Sequence, residues 1–265
     1  MPQIISNGAR LHFRLEGARQ LPCLVLAHPI GADHGIWDKL VPLLTPQFCV
    51  LRYDLRGHGG SEVGEHEYWL AQLADDLLAL TNDLGIERFI AAGISLGGLT
   101  VLQAALQAPE RLAAVIVCSA NARMAPPPGG WDGRAQQALE QGMTALADGM
   151  VQRMFSSSFK DSGDASVATS HNTLALMAPQ GYANACAVLR DADLRPLLAQ
   201  VAQPVLVVSG QTDPLVPPQV GESMAQALPK GRHISLPAGH FPPLEAAPEF
   251  AQALLQFAQE LGRGK

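Results

Sequence analysis

Five short, almost wholly apolar runs, separated by longer segments of helical spacing, restrict the possible folds of this chain more than any other feature. "CLVLAH", "FCVLRYD", "RFIAAGI", "LAAVIVCSA" and "PVLVVSG" are hydrophobic at nearly every position rather than at every second one. That is the pattern of parallel strands covered by helices on both faces. A sixth strand-like run, "HISLPA", comes late. Between two of these runs, "EYWLAQLADDLLALTNDLG" repeats its apolar residues three and four apart and closes on Gly85, which predicts an amphipathic helix. Alternating strand and helix specify an α/β sheet. Ahead of it, an Asn-Gly pair before "LHFRLEG" suits a tight turn, so the chain opens with two short antiparallel strands.

The alternation fails between positions 121 and 190. There "APPPGGW" makes a stiff break, and the stretches after it read as helices with no strand between them. The expected organisation is therefore a core of residues 1–120 and 191–265, with a helical cap, 121–190, inserted into it. With 265 residues, 48% of them apolar, one sizeable core of this kind is within reach. No internal repeat is evident. The net charge of −6 and the lack of any run of Lys or Arg argue against nucleic acid and against a membrane surface, which leaves a small molecule as the expected partner. "MPQIISNGARLHFRLEG" has no basic segment followed by an apolar stretch, and no run reaches the ~18 apolar residues of a membrane span. Cys23, Cys49, Cys118 and Cys186 are scattered without CxxC spacing, so reduced thiols and a cytoplasmic setting are expected, and no metal site is expected from them. Self-association is left open.

Ser95 lies directly after "RFIAAGI" and directly before "LGGLTVLQAALQA", a strand, a turn and a helix. A sharp turn of this kind lifts a serine hydroxyl above the sheet, and Gly93, Gly97 and Gly98 let the two backbones approach closely. A serine hydroxyl is a weak nucleophile and needs a base, which itself needs an orienting group. His240 follows the last strand-like run and Asp213 follows the preceding one. The order Ser95, Asp213, His240 places each at the carboxyl end of a strand, where open α/β sheets carry their sites.

Acyl transfer also requires two N–H donors for the developing oxyanion. Leu96, next after the nucleophile at a helix start, is one candidate, and the loop after "CLVLAH" supplies the other. Pro29 has no N–H, so Ile30 is the expected donor, with His28 either shaping this loop or touching substrate and Gly31 permitting its turn. The histidines and acid of "HPIGADH" lack the spacing of a metal site. In "RYDLRGHGGSE" there is no Walker-type ending, and Asp54 and Arg56 read as ties within a turn. His12, His66, His171 and His233 are expected at surface or edge positions.

Taken together, these segments resemble the α/β-hydrolase family along most of the chain. More narrowly, "VLRYDLRGHGGSE", "GISLGGL", "GMTALADGMVQRMF", "PQGYANACAVLRDADLR" and "GQTDPLVPP" resemble bacterial 3-oxoadipate enol-lactonases of aromatic catabolism. The resemblance implies hydrolysis of an enol-lactone ring by Ser95, Asp213 and His240, with no cofactor. Such a lactone carries a free carboxylate, and Arg123 in "NARM" matches an arginine of the family at the start of the cap, with a salt bridge holding the cap to the core as its other reading. Trp131 either walls the pocket or anchors its loop by packing, whereas Arg190 and Arg195 have aspartates close by and read as structural. The chain departs from the family pattern in "HPIG", "SANARM" and "FPPLE", all of which border the expected pocket. The competing readings are an esterase or lactonase for another small ester, and a non-catalytic receptor on the same fold. A dehalogenase would need a carboxylate where Ser95 stands.

Overall fold

The computed structural model describes residues 2–263. These form eight strands: β1 (Gln3–Ser6), β2 (Ala9–Glu16), β3 (Cys23–Ala27), β4 (Cys49–Tyr53), β5 (Phe89–Ile94), β6 (Leu112–Cys118), β7 (Val205–Gly210) and β8 (Gly231–Leu236). All eight join one sheet in the order β1-β2-β4-β3-β5-β6-β7-β8. β2 runs antiparallel to both β1 and β4, and every later pairing is parallel. The opening hairpin turns on Asn7 and Gly8, both at positive φ (47° and 72°), as the two-residue turn that matches strand twist requires.

The unbroken apolar runs fall where both faces of the sheet are covered. Every residue of β3, β4, β5 and β7 is buried, whereas the edge strand β8 is only partly so. Full burial of each Leu, Val or Ile side chain contributes about 1.5–3 kcal/mol relative to exposure. Covering helices are α1 (Val41–Leu44), α2 (Leu70–Asp83) and α3 (Leu96–Gln107) ahead of β6, and α9 (Pro218–Ala227), α10 (Pro242–Glu245) and α11 (Ala247–Arg263) after β7. α2 buries Leu70, Leu73, Leu77 and Leu80 from the spacing noted above, and it packs on α3.

Between β6 and β7 lie five helices and no strand: α4 (Gly130–Gln141), α5 (Thr144–Met154), α6 (Ser157–Asp161), α7 (Ala165–Ala175) and α8 (Pro179–Asp191). α4 packs along α8, and α5 against α7. Hydrogen bonds fasten this layer to the loop before α2: Asn184 Nδ2 donates to Gly64 O (2.8 Å), and Tyr68 N donates to Asn184 O (3.3 Å). Arg190 bridges Glu67, Asp132 and Asp191, and Arg195 pairs with Asp193. The four cysteines are unpaired and buried. No helix among the described residues is long and apolar enough to cross a membrane.

His12 departs from the expected edge position. It is buried in β2, and its Nδ1 bonds the Asp54 carboxylate at 2.7 Å. Asp54 also accepts from His34 Nδ1 (2.8 Å), His34 N (2.7 Å) and Gly60 N (2.8 Å). Four N–H donors thus fill one carboxylate, which ties β2 to the loop after β3 and the turn after β4. These bonds hold the Asp54 carboxyl far below the ordinary carboxylate range in spite of its burial.

Candidate active site

Ser95 follows the last residue of β5 and precedes the first of α3, at φ 52° and ψ −113°. A non-glycine residue at positive φ costs about 1–3 kcal/mol and persists only where its surroundings fix it. Here the Ser95 N–H donates to Cys118 O (2.9 Å), and its carbonyl accepts from Leu99 N (3.1 Å). The packing also forbids a side chain on either flank. A Cβ on Gly93 would come within 2.1 Å of Gly97 O, and one on Gly97 within 2.2 Å of Ala27 O. The turn therefore brings β5, α3 and the end of β3 into backbone contact, with the Ser95 hydroxyl at the carboxyl edge of the sheet.

Asp213 stands in the loop after β7. Its Oδ1 accepts from Leu215 N (2.8 Å) and Val216 N (3.1 Å), and its Oδ2 bonds His240 Nδ1 at 2.8 Å. With Nδ1–H donated to the carboxylate, the lone pair of His240 Nε2 is free to act as a base. His240 is buried, lies against Phe241, and donates its N–H to Met154 O of α5 (2.7 Å). Ser95 and His240 open onto one cavity of ≈ 250 Å³ that residues of α4, α5 and α8 also line. No hydrogen bond joins the Ser95 hydroxyl to His240 among the described residues. A bond of this kind often tightens only when substrate is present.

Ile30 lines the same cavity, and neither its N–H nor that of Leu96 has a hydrogen-bond partner among the described residues. The loop around Ile30 is held from below by two imidazoles. His28 Nε2 accepts from Leu55 N (2.8 Å) and its Nδ1 donates to Pro29 O (2.8 Å), while His58 Nε2 accepts from Gly31 N (3.2 Å) and its Nδ1 donates to Arg56 O (3.1 Å). Burial pushes the pKa of both histidines down, that of His58 to about 3. His28 is wholly inaccessible and both its nitrogens are engaged, so it contacts backbone rather than substrate. That corrects the expectation that His28 touches the ligand.

Arg123 is corrected from a substrate contact to its other reading, a salt bridge. Its side chain is 54% exposed, lies 3.7 Å from Asp193, and does not line the cavity. The arginines that do line it are Arg134 of α4 and Arg153 of α5. Arg134 comes three residues after Trp131, a spacing that puts both on one helix face and was a readable signal for it. Trp131 lines the cavity, and its Nε1 is buried without an acceptor among the described residues. His28, Asp33 and His34 do not converge: Asp33 caps Gly35 N (2.7 Å) while His34 faces Asp54. His12, His34 and Asp54 do come together, as the hydrogen-bonded set already described. A second, larger cavity of ≈ 610 Å³ contains neither Ser95 nor His240 but shares Ile30 and Met154 with the first.

Residues 22–247 match the family described by the alpha/beta hydrolase fold. The chain is 32% identical to 3-oxoadipate enol-lactonase 1 of Acinetobacter baylyi, across 96% of this chain and 95% of that one. It is also 32% identical to a pimeloyl-[acyl-carrier protein] methyl ester esterase of Photobacterium profundum, across 88% and 93%. Among solved structures, the enol-lactonase from Burkholderia xenovorans LB400 superposes with a TM-score of 0.94 at 35% identity, over 97% of this chain and all of that one.

Proposed function

The chain belongs to the α/β-hydrolase family, and from that premise we propose that it is a cytoplasmic serine hydrolase that opens a small lactone, 3-oxoadipate enol-lactone foremost. The observation that carries the reading is the pair of side chains on one cavity: Ser95 on its strained strand-to-helix turn, and His240 held by Asp213 at 2.8 Å. The enol-lactonase relatives support the choice of lactone.

In this mechanism the Ser95 hydroxyl attacks the lactone carbonyl while His240 Nε2 takes its proton, and Asp213 stabilises the imidazolium. The carbonyl oxygen becomes an oxyanion between the N–H groups of Ile30 and Leu96, where the N-terminus of α3 also favours negative charge. Collapse breaks the ring C–O bond, and His240 returns its proton to the leaving oxygen, which departs as an enol and becomes a ketone. The ring-opened acyl group stays on Ser95 until His240 activates a water and the cycle reverses its proton transfers. Each step uses only this chain's groups and water.

A second reading, cleavage of a methyl ester on a longer acyl chain, is favoured by the ≈ 610 Å³ cavity that adjoins the first at Ile30 and Met154. Steady-state kinetics on the enol-lactone and on methyl esters of graded acyl length separate the two. A higher kcat/KM on the long esters would replace the lactone assignment. For the mechanism itself, Ser95→Ala and His240→Ala each lower kcat by at least ~10³-fold with the fold retained. Near wild-type turnover in either variant refutes it.

A further inference from the structure

His240 is held by the cap as well as by Asp213. Between α5 and α6 the chain is extended, with Phe155 at φ −101° and ψ 148° and Ser156 at φ −60° and ψ 153°. In extended backbone a carbonyl and the N–H two residues on point to the same side. Here Met154 O accepts from His240 N (2.7 Å), and Ser156 N donates to Glu245 Oε2 (3.0 Å). The segment thus lies along the loop that carries His240, with one bond at each end. The fit is close: a Cβ on Gly239 would come within 2.7 Å of Ser156 N, 2.9 Å of Met154 O and 3.0 Å of Glu245 Oε1. Phe155, between the two bonds, meets Phe241 edge to face at 5.3 Å, and both rings are buried.

The bond from Ser156 has a local cause. Ser156 is the N-cap of α6, and its Oγ accepts from Phe159 N (3.3 Å). In a capping box an acid three residues after the cap takes the N–H of the cap residue. Phe159 occupies that position here, and Glu245 supplies the carboxyl from α10 instead. Its other oxygen, Oε1, is buried with no hydrogen-bond partner among the described residues. Burying a polar atom unpaired costs free energy, so stability alone does not favour a glutamate at this position.

We propose that Glu245 is a positioning residue for His240: by holding Ser156 it keeps the 154–156 segment of the cap on Gly239 and His240, and so fixes where the imidazole stands relative to Ser95. The proposal rests on the serine-hydrolase reading of Ser95 and deepens it. Asp213 sets the direction of the ring through Nδ1, whereas the backbone of His240 gives its N–H to the cap. A shift of about 1 Å in a catalytic group is enough to cost ~10²-fold in rate.

The test compares kcat and KM for p-nitrophenyl acetate, a small neutral ester, across two pairs of variants. Glu245→Met keeps the length of the side chain and removes the acceptor, while Glu245→Gln keeps an oxygen for Ser156. Ser156→Pro removes the N–H at a residue whose φ of −60° already suits proline, and Ser156→Ala removes the hydroxyl alone. Glu245→Met and Ser156→Pro are each expected to lower kcat at least ~10-fold with KM within about threefold of wild type, and Glu245→Gln and Ser156→Ala keep kcat within about threefold. Combining Glu245→Met with Ser156→Pro costs no more than either alone, because both cut the same bond. Arg190→Gln, which cuts the tie of the cap to Glu67, leaves kcat within about twofold. A wild-type kcat in either Glu245→Met or Ser156→Pro, or an equal loss in Arg190→Gln, overturns the positioning role. Should Glu245→Met not fold, the Ser156 pair decides. A wild-type protein that neither turns over the ester nor labels at Ser95 with an alkyl fluorophosphonate overturns the nucleophile reading beneath it instead.

Discussion

Acid should weaken this protein through the imidazoles beneath the Ile30 loop. His58 accepts the Gly31 N–H at Nε2 and donates from Nδ1 to Arg56 O, so the neutral form is the one the fold uses. A protonated ring has no lone pair for Gly31, and burial accordingly brings the pKa down from 6.5 to about 3. Between those values the unfolded chain binds the proton and the folded chain does not. Stability is then at its full value above pH 6.5 and falls as the pH drops, levelling off only near pH 3. Integrating from pH 7 to pH 5 with these two constants gives a loss of about 2 kcal/mol from His58 alone. His28 is shifted in the same direction by the same cause, burial, and adds to the loss. The assay is urea denaturation at both pH values for the wild type and for His58→Gln, which keeps polar atoms but cannot titrate. The variant should lose about 2 kcal/mol less than the wild type on acidification, whatever its stability at pH 7. Identical losses would falsify the assignment of acid sensitivity to His58. The folded protein takes this proton only near pH 3, so the bond from Gly31 N holds down to that pH while stability falls.

Further outcomes follow from the packing. Gly97→Ala puts a Cβ 2.2 Å from the Ala27 carbonyl oxygen, backbone against backbone, and should cost about 1–3 kcal/mol in a urea titration along with most activity; a neutral effect would mean that the elbow has room to relax. Asp76→Ala leaves the Arg56 guanidinium, held at 2.6 and 2.9 Å, buried and unpaired, with an expected loss of about 3–5 kcal/mol; a loss under ~1 kcal/mol would show that water reaches it. Met154→Ala thins the wall between the two cavities and should raise the ratio of kcat/KM for long over short acyl esters. An unchanged ratio separates the larger cavity from substrate binding.

The features readable from sequence are those that local chemistry determines. Strands buried on both faces announce themselves by continuous hydrophobicity, and β3 to β7 lie where the apolar runs are. The turn at Ser95 was legible because the flanking glycines have no substitute: at Gly93 and Gly97 a methyl group would meet a backbone atom. His12 was misplaced, and His28 left between two roles, for the opposite reason. A lone histidine reads as polar, but its environment depends on a partner far along the chain, 42 residues away for His12 with Asp54 and 27 for His28 with Leu55.

The cap shows the same division. Which helices exist follows from break and spacing, yet which of their faces looks into the cavity depends on how α4 packs along α8 and α5 against α7, contacts that no local pattern encodes. Arg123 precedes α4 and is held outside the cavity by Asp193, while Arg134, one helical repeat beyond Trp131, faces inward with it. Once Trp131 is assigned to the pocket wall, the 3.6-residue period carries Arg134 there as well. Arg153 has no such anchor in sequence, because Met150 and Met154 on its helix read equally well as core. Its place in the wall of the same cavity as Arg134 is set by how α5 packs against α7, a contact between helices that no local pattern within α5 encodes.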